Sequence, residues 1–145
     1  MRRKETPEMA ETRRWLNRGW AMEREIEALM DLKRETFEAV TSITAAPDGI
    51  RVSGTSDPHK YDRYVEIEGQ IDELIDRELE VKAEIVDLVS NIPDRRLRTL
   101  LIDRYTRFMT FEQIAVQMHY SWRQVIRLHY DALRAAREQI EKTCH

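Results

Sequence analysis

The sequence predicts an all-α protein: a long antiparallel helical hairpin, coiled-coil-like, followed by a three-helix helix-turn-helix domain. Three observations lead there. Gly and Pro number only four each in 145 residues, and charged residues make up 35% of the chain, a composition that favours long solvated helices over a sheet. Apolar residues recur at helical spacing over two long stretches. Two helix-start signatures then stand close together in the C-terminal third.

The first helix is expected from about Glu8 to Ile43, a stretch without proline and with Gly19 as its only glycine. Met22, Ile26, Leu29, Thr36, Val40 and Ile43 form its stripe, interrupted by Lys33. Ala46-Pro47-Asp48-Gly49 stops it, and a loop runs through Ser53-Gly54-Thr55-Ser56. Asp57-Pro58 supplies a capping side chain followed by proline at the first helical position. The second helix, about Pro58 to Ser90, keeps an a/d heptad on Tyr64, Ile67, Ile71, Leu74, Val81, Ile85 and Leu88, broken at Glu78. Its remaining surface is acidic. At 1.5 Å per residue both helices should be roughly 50 Å long. Ile75, Leu79, Val86 and Val89 form a further stripe that a two-helix hairpin does not bury. They need a third surface, either the C-terminal domain or another copy of the hairpin; self-association through these four, as a homodimer, is the expected assembly.

Asn91-Ile92-Pro93-Asp94 ends the second helix, so residues 1–92 form the hairpin domain and 93–145 the C-terminal domain. Three helices are expected there, at about Asp94–Arg107, Phe111–Met118 and Trp122–Glu141. Thr110 with Gln113, and Ser121 with Gln124, are capping boxes. Ile114, Met118, Val125 and Leu128 let two short helices pack steeply, with small Ala115 at the close approach and Tyr120 covering the turn. This spacing is that of a helix-turn-helix, whose second helix enters the major groove of double-stranded DNA. Arg123 and Arg127 share one face and can reach guanine edges or phosphates. Gln124 can pair with adenine or be spent on the cap. Ser121 and the free N–H groups beside it can hold a phosphate, and Trp122 can pack on sugar or a thymine methyl.

The net charge of −3 conceals an asymmetry. Residues 93–145 carry ten Lys/Arg against six Asp/Glu, whereas residues 1–92 carry fourteen against twenty-one. A basic C-terminal part on an acidic front part fits one region that touches phosphate and another with a different task. No apolar stretch approaches the roughly 18 residues a membrane span needs, and Arg2-Arg3-Lys4 is followed by acids and not by a signal-like apolar run. Cys144 has no intrachain partner. A cytoplasmic protein is expected. His119 and His129 lack companions at metal-ligand spacing, and paired acids such as Asp72-Glu73 read as solubilising charge. No nucleophile motif or Gly-rich phosphate loop occurs, so no enzyme activity, cofactor or small-molecule substrate is expected.

Ile92-Pro93, Leu101, Arg104, Tyr105, Thr110 to Ala115, Tyr120-Ser121, Val125 and Ala132-Leu133 together resemble region 4 of the sigma-70 family of transcription factors, over about a third of the chain. The resemblance implies promoter recognition, contact with RNA polymerase, and base-contacting positions at Trp122, Arg123, Ile126 and Arg127. The family usually has glycine where this chain has His119, a turn position that favours a left-handed backbone. Residues 1–92 carry no recognisable −10-binding region, so a complete sigma factor is not expected. The size and the Tyr-Ser-Trp-Arg turn look more like small sigma-like regulators of phages and prophages, acting in a bacterial host cell. The rival expectation is a DNA-packaging protein similar to phage small terminase subunits, which pair a helix-turn-helix with a helical hairpin but generally carry the DNA-binding domain first. A coiled-coil adaptor without DNA binding is the third.

Overall fold

The computed structural model describes residues 5–41 and 58–143, apart from the side chains of residues 58 and 60. The expected stop at residues 46–49, the loop at 53–56, the Asp57 cap, Ile43 and Cys144 lie outside the described residues. The described chain is all-helical, with α1 (Pro7–Leu16), α2 (Arg18–Thr41), α3 (Pro58–Val89), α4 (Arg95–Tyr105), α5 (Phe111–Met118) and α6 (Trp122–Thr143). No helix among the described residues is long and apolar enough to cross a membrane.

The single first helix expected from the sequence is two. α1 starts on Thr6, whose side chain accepts from the Met9 N–H, with Pro7 in the first turn. It ends at Asn17, whose N–H still bonds to the Arg13 carbonyl. The Asn17 carbonyl then accepts from Trp20 three residues on, and the Arg18 side chain donates to the Trp15 carbonyl. Asn17 and Gly19 are poor helix formers, which is the local reason for the break. Gly19 also meets a tertiary need, because a Cβ there would stand 3.2 Å from the Phe108 ring.

The chain divides into two compact units, one of Met1–Ala21 with Leu79–His145 and one of Met22–Glu78. The cut differs from the sequence boundary at 92/93, because α1 packs on α6 and the end of α3 goes with the C-terminal helices.

In the 22–78 unit the expected stripes are the covered ones. Ile26 and Ile71 are buried, and Met22, Leu29, Lys33, Thr36, Val40, Tyr64, Ile67 and Leu74 are partly buried. The two polar interruptions fall on the covered side as well. Lys33 pairs with Glu68 at 3.3 Å and lies over the Tyr64 ring, so its stem packs while its charge is neutralised. Glu78 is buried on the heptad face. Phe37 meets Tyr64 with ring centroids 6.0 Å apart.

In the other unit α6 packs against α1, α4 and α5. Leu16, Ile85, Val89, Leu100, Leu101, Ile114, Val125, Ala132 and Leu133 form its core, each 0–1% exposed. One member corrects an expectation. Val89 is not on a free stripe: it lies in the last turn of α3, buried like Ile85 and Leu88 there and Ile92 beyond the turn, where the turn at Asn91 wraps the chain into the core. Ile75, Leu79 and Val86 are exposed, at 38%, 57% and 42%.

Candidate nucleic-acid interface

The segment from Thr110 to Leu128 is built from its caps. Thr110 accepts from the Gln113 N–H at 3.1 Å, and Gln113 Oε1 accepts from the Thr110 N–H at 2.9 Å. Together they satisfy two of the donors that a helix start leaves open. α5 then ends at His119, with φ 60° and ψ 37°. Its N–H bonds to Val116 O at 3.3 Å, and the Tyr120 N–H to Ala115 O at 3.0 Å. That pairing is the Schellman C-cap, and its left-handed residue is most often glycine. The imidazole is exposed, so it meets only the backbone penalty. Two residues later the second box closes. The Ser121 N–H donates to Gln124 Oε1 at 2.7 Å, and the Gln124 N–H donates to Ser121 Oγ at 3.2 Å.

These three caps fix where α6 begins relative to α5. Ile114 and Val125 are fully buried, and Ala115 and Leu128 nearly so. Met118 and Tyr120 are partly buried at the turn.

The expected DNA-facing residues fall on the outside of the first turns of α6. Ser121, Arg123, Gln124 and Arg127 are exposed, Ile126 is half-buried, and Trp122 is 51% exposed. Neither Arg123 nor Arg127 has a polar or ionic partner among the described residues, and they lie four apart on one helical face. Gln124 stands differently. Its Oε1 already accepts in the cap, so a two-point contact to adenine, which needs both amide atoms, would have to share or break that cap bond. Ser121 Oγ accepts within the same box and keeps its O–H to donate.

The first turn of α4 carries further basic groups. Arg95, at the start of α4, is exposed and without a partner among the described residues. Arg96 holds Asp94 at 3.2 Å and lies beside the Tyr120 hydroxyl. The Arg96 side chain, and then its backbone N–H, keep the Asp94 carboxyl below its usual range. Arg98 turns away and donates to the Ile92 and Pro93 carbonyls, tying down the chain that leads into α4.

Behind the surface is a polar and aromatic cluster that residue patterns do not announce. Tyr105 Oη and His129 Nε2 share a 2.6 Å hydrogen bond, and the Phe111 ring stands edge-on to His129 at 4.8 Å. Burial, reinforced by the Arg104 and Arg13 charges, lowers the His129 pKa to about 4. Burial likewise raises that of Tyr105. Both are therefore neutral at pH 7. The Arg104 guanidinium is sandwiched between Phe111 at 4.1 Å and Trp20 at 4.6 Å and donates to the Met109 carbonyl. Desolvation lowers its pKa. Trp20 Nε1 donates to the Arg104 carbonyl at 2.9 Å. Phe108, left-handed at φ 58°, packs edge-on against Trp20. The cluster locks the α4–α5 connection to residues near the start of α2. Among the described residues no group of three His, Cys, Asp or Glu could hold a metal ion.

No family model, curated protein or solved structure matches this chain.

Proposed function

We propose that this protein is a sequence-specific, double-stranded-DNA-binding transcription regulator with a sigma region 4-like helix-turn-helix, of the small kind that phages and prophages encode, acting in the bacterial cytoplasm. The observation that carries this reading is the capped α5–turn–α6 unit. It has a buried Ile114–Ala115–Val125–Leu128 seam and, on the opposite face of α6, two arginines unpaired among the described residues. A bundle that merely packs needs the seam. It does not need two such arginines four residues apart beside a left-handed C-cap.

In this reading Ser121, the open N–H groups of Trp122 and Arg123, and Arg95 fix register on phosphates, and Arg123 and Arg127 read base edges. Trp122 packs on sugar or a thymine methyl. The 22–78 segment is an antiparallel hairpin, as the partner order of Lys33 with Glu68 and Phe37 with Tyr64 suggests. Self-association into a homodimer uses Ile75, Leu79 and Val86, and RNA polymerase is a further partner.

The test is genomic footprinting of the full chain with and without RNA polymerase, alongside Arg123→Ala with Arg127→Ala. Discrete protected sites are expected, and the double change should cost about 1–3 kcal/mol for each base edge that an arginine no longer reaches. Sites protected only with polymerase present would mark a sigma-like role, and free-standing half-sites a conventional regulator. Undiminished binding by the double variant would overturn the assignment of these arginines.

A further inference from the structure

A second concave surface lies at the other end of α6. Trp15 of α1, Leu88 of α3 and Ile140 of α6 line a groove of about 400 Å³ whose rim carries Glu84, Asp87 and Thr143. All of these residues belong to the same compact unit. From Arg123 to Ile140 is about 25 Å along the helix axis at 1.5 Å per residue, so the groove is not part of the proposed DNA surface.

Its charge is arranged against local preference. α3 ends at Val89, which brings the negative end of its helix dipole to the groove. An acid in the last turn of a helix is disfavoured by the dipole, yet Asp87 stands there. Its carbonyl accepts from the Ser90 and Asn91 side chains, while its carboxylate has no cation among the described residues. Glu84 is answered by Arg18 at 2.7 Å, and the same guanidinium lies 4.5 Å from the Trp15 ring centroid. Glu84 is thus paired, and Asp87 is the groove carboxylate without a cation among the described residues. An uncompensated departure from a local rule is a mark of functional or strained positions.

We infer that this groove docks a segment of a partner protein that presents an aliphatic side chain followed by lysine or arginine, the aliphatic group against Trp15, Leu88 and Ile140 and the cation at Asp87. Both halves of that segment have a counterpart here: an apolar floor and a carboxylate without a cation among the described residues, reinforced by the end of α3. The open rim of exposed polar residues suits a protein segment; a small amine would call for an enclosed cavity, because small-ligand sites bury most of their ligand.

The probe is a synthetic helical peptide with a leucine stripe flanked by lysines, compared with the same peptide carrying glutamates in place of the lysines. Binding to the full chain is followed by NMR at the Trp15 indole and Ile140 methyl signals. The lysine peptide should shift both, and the glutamate peptide neither. Asp87→Asn should weaken the lysine peptide about 3–5-fold, the size of one partly exposed charge pair. Ile140→Ser, confirmed folded by circular dichroism, should abolish the shift at the Trp15 indole. Equal binding of the two peptides, no binding of either, shifts that map elsewhere, or indifference to Asp87→Asn would each overturn the inference.

Discussion

His129 should make this protein lose stability as pH falls below its unperturbed pKa of 6.5. The imidazole is 6% exposed, and its pKa falls from 6.5 to about 4, first through burial and then through the Arg104 and Arg13 charges. As pH falls, the unfolded chain takes up this proton near 6.5, while the folded protein resists until about 4. Stability is thus fully present above 6.5 and is lost progressively down to about 4. The whole shift corresponds to about 3 kcal/mol at 1.36 kcal/mol per pH unit. Between pH 7.5 and 5.0 the portion lost is about 2 kcal/mol. Urea denaturation at those two pH values, in the wild type and in His129→Gln, isolates the effect. Glutamine keeps a polar partner for Tyr105 but does not titrate. Trp15, Trp20 and Trp122 all lie in the unit that contains His129, so tryptophan fluorescence reports on that unit. The wild type should lose about 2 kcal/mol more than the variant over this interval. Equal losses, or an NMR titration of His129 above pH 6, would refute the reasoning.

Three further outcomes are expected. Tyr105→Phe strips His129 Nε2 of its 2.6 Å partner and should cost about 1–3 kcal/mol, the penalty for an orphaned buried polar group, read from the same urea curves. Thr110→Ala and Ser121→Ala each remove a capping side chain and should each cost about 1 kcal/mol; because Ser121 also fixes the start of α6, its change should weaken DNA binding by gel shift more than Thr110→Ala does. Leu79→Lys with Val86→Lys places two cations on exposed positions of α3 and should give a monomer in multi-angle light scattering. An unchanged dimer mass would put self-association elsewhere, and ring-sized particles in the wild type would favour the DNA-packaging alternative.

What the sequence makes legible here is what depends on near neighbours. Both capping boxes can be read from Thr110–Gln113 and Ser121–Gln124, because donor and acceptor lie three residues apart and little else competes for them. α5 has the bounds expected of it. The heptad face of α3 is legible for a similar reason, since a period of 3.5 persists over many turns and survives one polar member, Glu78. The break at Asn17 is harder to see. Asn17 and Gly19 are a weak signal inside an otherwise unbroken helical pattern, and the stronger cause, the Phe108 ring against Gly19, comes from 89 positions away in the sequence. The Trp20–Arg104–Phe111 stack has the same origin. No short-range rule joins Trp20 to Arg104, so the first helices read as a separate domain when α1 in fact packs on α6. Val89 fails for the complementary reason: periodicity assigns it to a stripe but cannot say that a turn at Asn91 draws that end of the helix into the core.

The residues on which the proposed sigma region 4-like reading of the C-terminal third rests divide unevenly between packing and display. Ile92, Leu101, Tyr105, Ile114, Ala115, Val125, Ala132 and Leu133 are all buried, Arg104 is held between two rings, and Thr110, Gln113 and Ser121 are spent on caps. Such a pattern is set by the chain's own interior, where a methylene too many or too few is felt, and it is readable from one sequence for that reason. Trp122, Arg123 and Arg127 obey no such constraint. They are exposed, and neither arginine has a polar or ionic partner among the described residues. Their identities are free to follow a ligand and not the fold. Docking geometry and target preference should therefore separate experimentally. Changes at Arg123 and Arg127 should alter which DNA is bound while leaving the unfolding free energy within about 0.5 kcal/mol of the wild type, whereas changes at His129 or Thr110 should move stability first and binding only as its consequence.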